Sequence, residues 1–205
     1  MAKYYAVFKG KSNKPLILNT WDECKNEVYG VKGAIYKSFK TLEEAQDYLD
    51  INSNQTVTKN DGEDDSIGLI SYVDGSFSEE KRNYSYGIVI LKDGEVIYKE
   101  NGLGEEKADI KFRNISGEVL AAIKAVEYAI KESYDEITIV HDYQGIASWA
   151  MGTWNRNNDL TRNYYDKMSE YKKKIKINFR KVKGHSGNKF NDMVDKLAKE
   201  ALGII

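Results

Sequence analysis

The sequence has little of several features that would point to a particular class of protein. It contains one cysteine and one proline in 205 residues, which excludes an internal disulfide framework and argues against a proline-rich disordered chain. No apolar run approaches the ~20 residues that a membrane-spanning helix needs, and the start Met1-Ala2-Lys3-Tyr4 is not typical of a signal peptide. With two histidines in all, the chain offers no Cys/His cluster for zinc. We therefore expect a soluble, cytoplasmic globular protein that does not contact a membrane.

Charge is unevenly distributed along the chain, although the formal net charge is only −1. Residues 1–40 contain eight lysines and three acidic residues, whereas residues 52–66 contain four acidic residues and one lysine. A basic, aromatic-rich start that an acidic segment separates from the rest is typical of a polyanion-binding module on a linker. An ordinary solvated lysine face is the alternative, and charge alone does not decide between them.

The pattern of apolar residues predicts two domains. Residues 1–51 read as a small ββαβα domain with capping boxes at Thr20–Glu23 and Thr41–Glu44. Residues 52–66 are polar and lack periodicity, which predicts a flexible linker. The elements predicted in residues 67–205 are strands at about 67–75, 85–92 and 95–103, a helix over 116–132, a strand at 136–141, helices from 144 and near 160–173, a strand at 175–182 and a helix at 189–202. This order predicts an α/β domain whose mixed five-stranded sheet carries helices on both faces.

Four acidic residues are attached to separate core-forming elements, where a carboxylate is expensive to bury unless it is paired or binds a metal. Asp74 ends the apolar run of the first strand, Glu118 begins a helical run, and Asp142 follows a strand. Asp195 lies within the last predicted helix. If the four converge, they form an oxygen-only site that suits Mg²⁺ or Mn²⁺. The pattern indicates a metal-dependent phosphoryl-transfer enzyme.

Each acidic residue also has an ordinary structural interpretation. Asp74 fits a turn residue, Glu118 a first-turn charge facing the helix dipole, and Asp142 a helix N-cap. The occurrence of all four together favours the metal site.

Four segments of the chain resemble a known family. They are Tyr72-Val73-Asp74-Gly75-Ser76, Asn114-Ile115-Ser116-Gly117-Glu118, His141-Asp142-Tyr143-Gln144-Gly145, and Val182-Lys183-Gly184-His185-Ser186-Gly187 with Asp195 beyond it. Their order and spacing over about residues 67–202 resemble type I ribonuclease H. The resemblance implies a ribonuclease H fold and hydrolysis of the RNA strand of RNA–DNA hybrids, leaving 5′-phosphate and 3′-hydroxyl ends.

The same resemblance implies roles for the site residues. Asp74 would bridge two Mg²⁺ ions, for which Mn²⁺ could substitute, while Glu118 and Asp142 would bind one ion and Asp195 the other. His185 would assist protonation or product departure. Asp192 competes with Asp195 for the fourth position, and the spacing from His185 favours Asp195.

Four further positions match family residues that contact nucleic acid. Asn114 matches a position that contacts bases in the minor groove, and Gly75 and Ser76 match positions near the RNA 2′-hydroxyl groups. Trp149 matches a tryptophan against which the DNA strand packs, although a core role is an equal alternative. Ile115 departs from the family, which usually has an amide side chain there.

The amino-terminal residues resemble the hybrid-binding domain found before some ribonucleases H and in a plant-virus inclusion-body protein. By that resemblance, Trp21 and Tyr36 would pack on DNA sugars and Lys37 would meet a phosphate. Ser38 stands where a second lysine is common. Residues 154–161 are nearly neutral, where many relatives carry a basic substrate-binding protrusion, and the amino-terminal domain offers compensation for that loss.

The sequence leaves two other functions open. One is a nucleic-acid-binding protein whose ribonuclease H-like domain is inactive, which the presence of all four acidic residues disfavours. The other is a DNA-processing nuclease of the same superfold, which the His185 segment and the amino-terminal domain disfavour. The preferred hypothesis is a two-domain ribonuclease H whose partner is an RNA–DNA hybrid and which requires no protein partner.

Overall fold

The computed structural model describes residues 3–42, 44–46, 48, 49, 52, 67–104, 107–184 and 187–205. The chain forms two compact units, one built mainly of residues 1–61 and a larger one built mainly of residues 62–205. The predicted linker falls almost wholly outside the described residues, so its flexibility stays a prediction. Among the helices that the structure describes, none combines the length and apolar character needed to cross a bilayer.

The amino-terminal unit is a three-stranded antiparallel sheet with helical segments. Its elements are β1 (Tyr4–Lys9), β2 (Leu16–Leu18), α1 (Trp21–Val28) and β3 (Ile35–Phe39), with β1 in the centre of the sheet. Helical residues follow at positions 42–49, apart from two positions that are not described. Both predicted capping boxes are present, with Glu23 N–H donating to Thr20 and Glu44 N–H donating to Thr41. The structure thus has the predicted element order.

Both faces of this small sheet are covered. Val7 packs with Cys24 and Val28 on one face, whereas the neighbouring Ala6 packs with Phe39 in a second cluster. Successive strand residues point to opposite faces, so β1 contributes to two thin cores. Each core buries few residues, which is expected for a unit of about fifty residues.

The larger unit contains a five-stranded mixed sheet in the order β6-β5-β4-β7-β8. Its elements are β4 (Leu69–Ser78), β5 (Asn83–Lys92), β6 (Glu95–Leu103), a 3₁₀ helix (Lys107–Phe112), α2 (Asn114–Lys131), β7 (Glu136–His141), α3 (Gly145–Ala150), α4 (Asp159–Tyr171), β8 (Lys176–Lys181) and α5 (Lys189–Leu202). Strands β4, β5 and β6 are antiparallel, whereas β7 runs parallel to both β4 and β8. The predicted α/β sheet is confirmed.

Helices α2 and α5 lie on opposite faces of the sheet, and two glycines allow them to come close. A Cβ atom at Gly87 would lie 2.5 Å from the carbonyl oxygen of Val194 in α5. A Cβ atom at Gly75 would lie 2.2 Å from the carbonyl oxygen of Asn114 in α2. Gly87 pairs with Asp74, so these two residues face the same side of the sheet. Gly75 follows Asp74 in the strand and therefore faces the opposite side, toward α2.

Strand β4 is longer than predicted, which corrects the placement of Asp74. The strand continues to Ser78, so Asp74 lies inside it and not at its end. Pairing with β5 persists from Asp74↔Gly87 to Ser78↔Asn83. Backbone groups form the hydrogen bonds between β4 and β5, so the strand continues beyond the apolar residues from which its end was predicted.

Helix α2 also differs from its prediction. It begins at Asn114 instead of at residue 116, which places Glu118 in the second turn rather than the first. The 3₁₀ helix before it was not predicted, because six residues with this geometry have no distinct sequence pattern.

We predict that Gly117→Ala destabilises the protein. A Cβ atom there would lie 1.9 Å from the carbonyl oxygen of Ser85 and 2.7 Å from the Cα of Gly75, so α2 would have to move off the sheet. Overpacking of this kind costs about 1–3 kcal/mol. An unhindered Gly→Ala change in a helix has the opposite sign, stabilising by about 1 kcal/mol. Urea unfolding measures the difference in unfolding free energy.

The matched control is Lys131→Ala at the exposed end of the same helix, where the side chain is 81% accessible. That change should leave the unfolding free energy within about 0.5 kcal/mol of the parent. A Gly117→Ala protein as stable as the parent would contradict the close backbone contact.

Candidate active site

A cleft of about 440 Å³ lies where β4 and β7 separate, and all four predicted acidic residues line it. The full lining is Asp74, Gly75, Ser76, Phe77, Glu79, Arg113, Asn114, Glu118, Asp142, Asp195 and Lys199. The sequence prediction that the four carboxylates converge therefore agrees with the geometry.

The register of the parallel strands brings Asp74 and Asp142 together. Strands β4 and β7 pair only from Ile70↔Thr138 to Tyr72↔Val140. Asp74 and Asp142 each lie two residues beyond that last pair, so they occupy equivalent positions where the strands have parted. Ligands of open α/β sheets bind at such carboxyl ends of parallel strands.

Glu118 reaches the same place from α2. A Cβ atom at Gly75 would lie 2.4 Å from the backbone nitrogen of Glu118, so the helix lies directly on the strand. Carboxylate oxygens of Asp74, Glu118 and Asp142 all lie within 4.8 Å of one another. We call these three residues the carboxylate triad. Glu118 is 2% exposed, and its Oε2 has no hydrogen-bond partner.

The electrostatics of the triad favour a bound cation. Burial raises the pKa of Asp74 to about 7, and the charges of Asp142 and Asp195 add to the effect. Burial likewise raises the pKa of Glu118 to about 9, with further contributions from Asp142 and Asp74. A divalent cation among these oxygens would offset both the desolvation and the repulsion. An all-oxygen donor set with an unpartnered buried oxygen fits Mg²⁺ or Mn²⁺.

Asp195 enters the cleft from α5, which is held tightly to the sheet. Ser85 Oγ donates a hydrogen bond of 2.6 Å to the carbonyl oxygen of Ala198, and Gly87 allows the close packing described above. Asp195 lines the cleft, whereas its competitor Asp192 is exposed and is not part of the lining.

The segment that carries His185 approaches Asp142. His185 lies outside the described residues, so its predicted role is untested. Its neighbour Gly184 is described, and a Cβ atom there would lie 2.6 Å from Asp142 Oδ2. The backbone at Gly184 thus comes close to the carboxylate, and a larger side chain there would require Asp142 to shift.

The predicted nucleic-acid contacts fall into two groups. Gly75, Ser76 and Asn114 line the cleft beside the carboxylates. Trp149 is partly buried, is not part of the lining, and packs against Tyr143 with ring centroids 5.6 Å apart.

The sequence analysis missed two cations that line the cleft. Arg113 immediately precedes α2 with a φ of 56°, and its guanidinium pairs with Glu79 at 2.6 Å. Lys199 Nζ lies 2.7 Å from Asp195 Oδ2. The four-residue spacing of Asp195 and Lys199 is a sequence signal that could have indicated the second contact, whereas the positive φ of Arg113 gives no such signal.

The amino-terminal unit presents an exposed aromatic surface, formed by Tyr5, Trp21 and Tyr36. Trp21 and Tyr36 are 46% and 43% exposed, and their ring centroids lie 6.2 Å apart. The ring centroid of Tyr5 lies 5.9 Å from that of Trp21. Lys37 is partly buried, with its ammonium 5.9 Å from the Phe39 ring. The structure thus brings the two predicted stacking residues together.

Comparison with known proteins matches both units to families and relatives. Residues 3–49 match the ribonuclease H1 N-terminal domain, and residues 67–203 match the RNase H domain. A ribonuclease H of Cereibacter sphaeroides is 29% identical over 147 residues, which cover 65% of this chain and 94% of that protein. A ribonuclease H of Jannaschia is 30% identical over 147 residues, which cover 65% of this chain and 90% of that protein. A ribonuclease H of Saccharomyces cerevisiae is 52% identical over 46 residues, which cover 22% of this chain and 13% of that protein.

Solved structures share the fold. Ribonuclease H1 of Halobacterium salinarum superposes with a TM-score of 0.56 at 22% identity, covering 67% of this chain and 98% of that one. LC11-RNase H1 in complex with an RNA/DNA hybrid superposes with a TM-score of 0.53 at 18% identity, and the match again covers 67% of this chain and 98% of that one. The RNase H domain model spans more than half of the chain, and the four predicted carboxylates Asp74, Glu118, Asp142 and Asp195 lie within it. The chain belongs to the ribonuclease H family and is a hydrolase of that type.

Proposed function

We propose that this protein hydrolyses the RNA strand of RNA–DNA hybrids with two divalent cations, Mg²⁺ or in its place Mn²⁺, leaving 5′-phosphate and 3′-hydroxyl ends. The observation that carries the proposal is the carboxylate triad, with its oxygens within 4.8 Å and one buried oxygen without a partner. The similar fold of a relative whose structure contains an RNA/DNA hybrid supports the choice of substrate.

The chain's own residues would hold the cations and keep them in place. When bound, the two cations would activate a water molecule and stabilise the leaving 3′-oxygen. Asp74 is suited to a shared position, because the charges of both Asp142 and Asp195 act on it. Glu118 and Asp142 would complete one cation position, and Asp195 the other. Glu118 is buried, and its unpartnered Oε2 is available to a cation.

Residues around the carboxylates would select the RNA strand. Gly75 and Ser76 are proposed to lie near the RNA 2′-hydroxyls, and Asn114 to contact bases, because all three line the cleft. Trp149 is proposed to support the DNA strand, with Tyr143 packed behind it. His185, which follows Gly184, is proposed to assist protonation or product departure.

The amino-terminal residues 1–51 are proposed to hold the hybrid while residues 67–205 cut it, with residues 52–66 as a flexible connection. Trp21 and Tyr36 form an exposed aromatic pair, which suits packing on the sugars of the DNA strand, and Lys37 on the same strand as Tyr36 would meet phosphate. The proposal needs no protein partner.

We predict that Asp142→Asn abolishes cleavage of a labelled RNA–DNA hybrid in Mg²⁺ or Mn²⁺ while hybrid binding persists. The change removes a charged ligand but little volume, so the fold should survive. The matched control is Asp192→Asn, an equivalent change at an exposed acidic residue outside the cleft lining, and it should retain activity. EDTA should stop cleavage by the unmodified enzyme.

Three outcomes would refute the proposal. Near-normal cleavage by Asp142→Asn would show that Asp142 is not a cation ligand needed for cleavage. Efficient cleavage of DNA–DNA duplexes without cleavage of hybrids would instead indicate a DNA-processing nuclease, and hybrid binding without cleavage by the unmodified protein would indicate an inactive binding domain.

We predict that Glu118→Gln stabilises the cation-free protein at alkaline pH. Burial raises the folded-state pKa of Glu118 to about 9, above its ordinary value of 4.5. Stability is therefore lost as the pH rises between these values, because the folded protein still binds a proton that the unfolded chain has released, and raising the pH favours the state with fewer protons. At pH 8 in EDTA, the variant should exceed the parent by about 1 kcal/mol or more in urea unfolding.

The pH dependence provides the internal control for this measurement. The advantage of Glu118→Gln should shrink as the pH falls toward 4.5 and should vanish well below that value, where glutamate is protonated in both states. It should also shrink at pH 8 when Mg²⁺ is added, since the cation stabilises the parent's carboxylates. An advantage that is constant with pH would contradict the electrostatic explanation.

We predict that Trp21→Ala in the full chain weakens hybrid binding by about 1–3 kcal/mol, the usual worth of an aromatic stacking contact. The control is Tyr29→Ala, which removes a 73% exposed aromatic side chain outside the aromatic surface. Fluorescence anisotropy at several salt concentrations measures both. Equal affinities for the two variants would indicate another partner, such as a protein, for residues 1–51.

A further inference from the structure

The active-site cleft is lined by a lysine, Lys199, as well as by carboxylates. Lys199 lies one helical turn after Asp195 on α5, and its Nζ is 2.7 Å from Asp195 Oδ2. The two side chains are 34% and 24% exposed, so the pair is more shielded from solvent than an ordinary surface ion pair. Of the two cations among the described residues that line the cleft, Arg113 pairs with Glu79 instead.

Positive charge is therefore distributed unevenly among the four carboxylates. Asp195 has an ammonium group as its direct partner. The described ion pairs include none to the carboxylate triad, and the hydrogen bond described for Asp74 comes from the backbone N–H of Gly75. The two sides of the cleft thus differ before any divalent cation binds.

A lysine ammonium is a compact point charge on a flexible stem. A divalent cation that approached Asp195 would compete with this ammonium for the carboxylate and would be repelled by it at short range. A cation that enters the triad meets three carboxylates and displaces no side chain of comparable charge. The same four acidic residues therefore offer two positions of unequal strength.

We propose that Lys199 is a built-in counter-cation that weakens the second divalent position, the one that Asp74 and Asp195 would share, relative to the triad. The inference rests on the proposed two-cation function and deepens it. Cation binding becomes ordered: the triad fills first, and the second position fills when Lys199 releases Asp195. A polyanionic substrate favours that release, because its phosphates give the ammonium an alternative partner. Lys199 acts through Asp195 and is a positioning residue.

The chain contains a matched control on the same helix. Lys196 pairs with Glu200 at 3.7 Å, also with four-residue spacing, and its side chain is 68% exposed. Neither residue lines the cleft. Neutralising Lys196 removes the same charge and a comparable helical ion pair, so any difference between the two variants reports the position of Lys199 in the cleft.

The test is calorimetric titration of Mn²⁺ into the full chain without nucleic acid. For the parent, we expect one dissociation constant for the triad and a second, weaker one. Lys199→Gln and Lys199→Met should each lower the second constant about fivefold or more, consistent with the loss of an ion pair and of local repulsion. The first constant should change less. Lys199→Arg, which keeps the charge, and Lys196→Gln should both match the parent.

Electron paramagnetic resonance supplies a second readout that does not depend on activity. Two Mn²⁺ ions held by neighbouring carboxylates couple magnetically, so the spectrum of the coupled pair should appear at lower Mn²⁺ concentration in Lys199→Gln than in the parent. Urea unfolding in EDTA establishes that each variant is folded.

Three results would overturn the proposal. The second constant could be unchanged or weaker in folded Lys199→Gln and Lys199→Met, Lys196→Gln could tighten the second position equally, or Lys199→Arg could behave like the neutral variants. These results leave the proposed nuclease function standing if the parent binds Mn²⁺ and cuts hybrids. A parent that binds no divalent cation would remove both proposals.

Discussion

The contact on which the site depends is the close approach of the β4 backbone to the first turns of α2. Gly75 and Gly117 make this contact, and neither position has room for a Cβ atom. The contact presses Glu118 against Asp74, although burial and mutual repulsion oppose the ionisation of both. Hydrophobic packing of the sheet supplies the free energy that holds these charges together. The site is therefore assembled at the expense of stability, and a cation recovers part of that loss.

Much of this arrangement could be predicted from the sequence. Capping boxes at Thr20 and Thr41 and the alternation of apolar residues gave the element order, and the strand β7 and the helix α5 have the predicted limits. The four carboxylates could be identified because an acidic residue on a core-forming element is costly to bury unless it is paired or binds a metal. These signals are local, and local signals survive folding when they agree with the tertiary structure.

The features that were missed arise from contacts between distant residues. Strand β4 extends past Asp74 because β5 pairs with it, and the sequence of β4 alone does not contain that information. Lys199 reads as an ordinary solvated lysine until α5 is placed against the sheet. Arg113 has a positive φ next to Asn114, and its side chain meets Glu79 because α2 begins beside the end of β4.

The short parallel pairing between β4 and β7 has a consequence for how this protein can change over evolutionary time. Three residue pairs set the register, and Asp74 and Asp142 lie just beyond it. Adding or removing one residue in either strand would turn the following side chain to the opposite face of the sheet, taking one carboxylate out of the cleft. Length variation is thus barred from these two strands, because either change would separate Asp74 from Asp142.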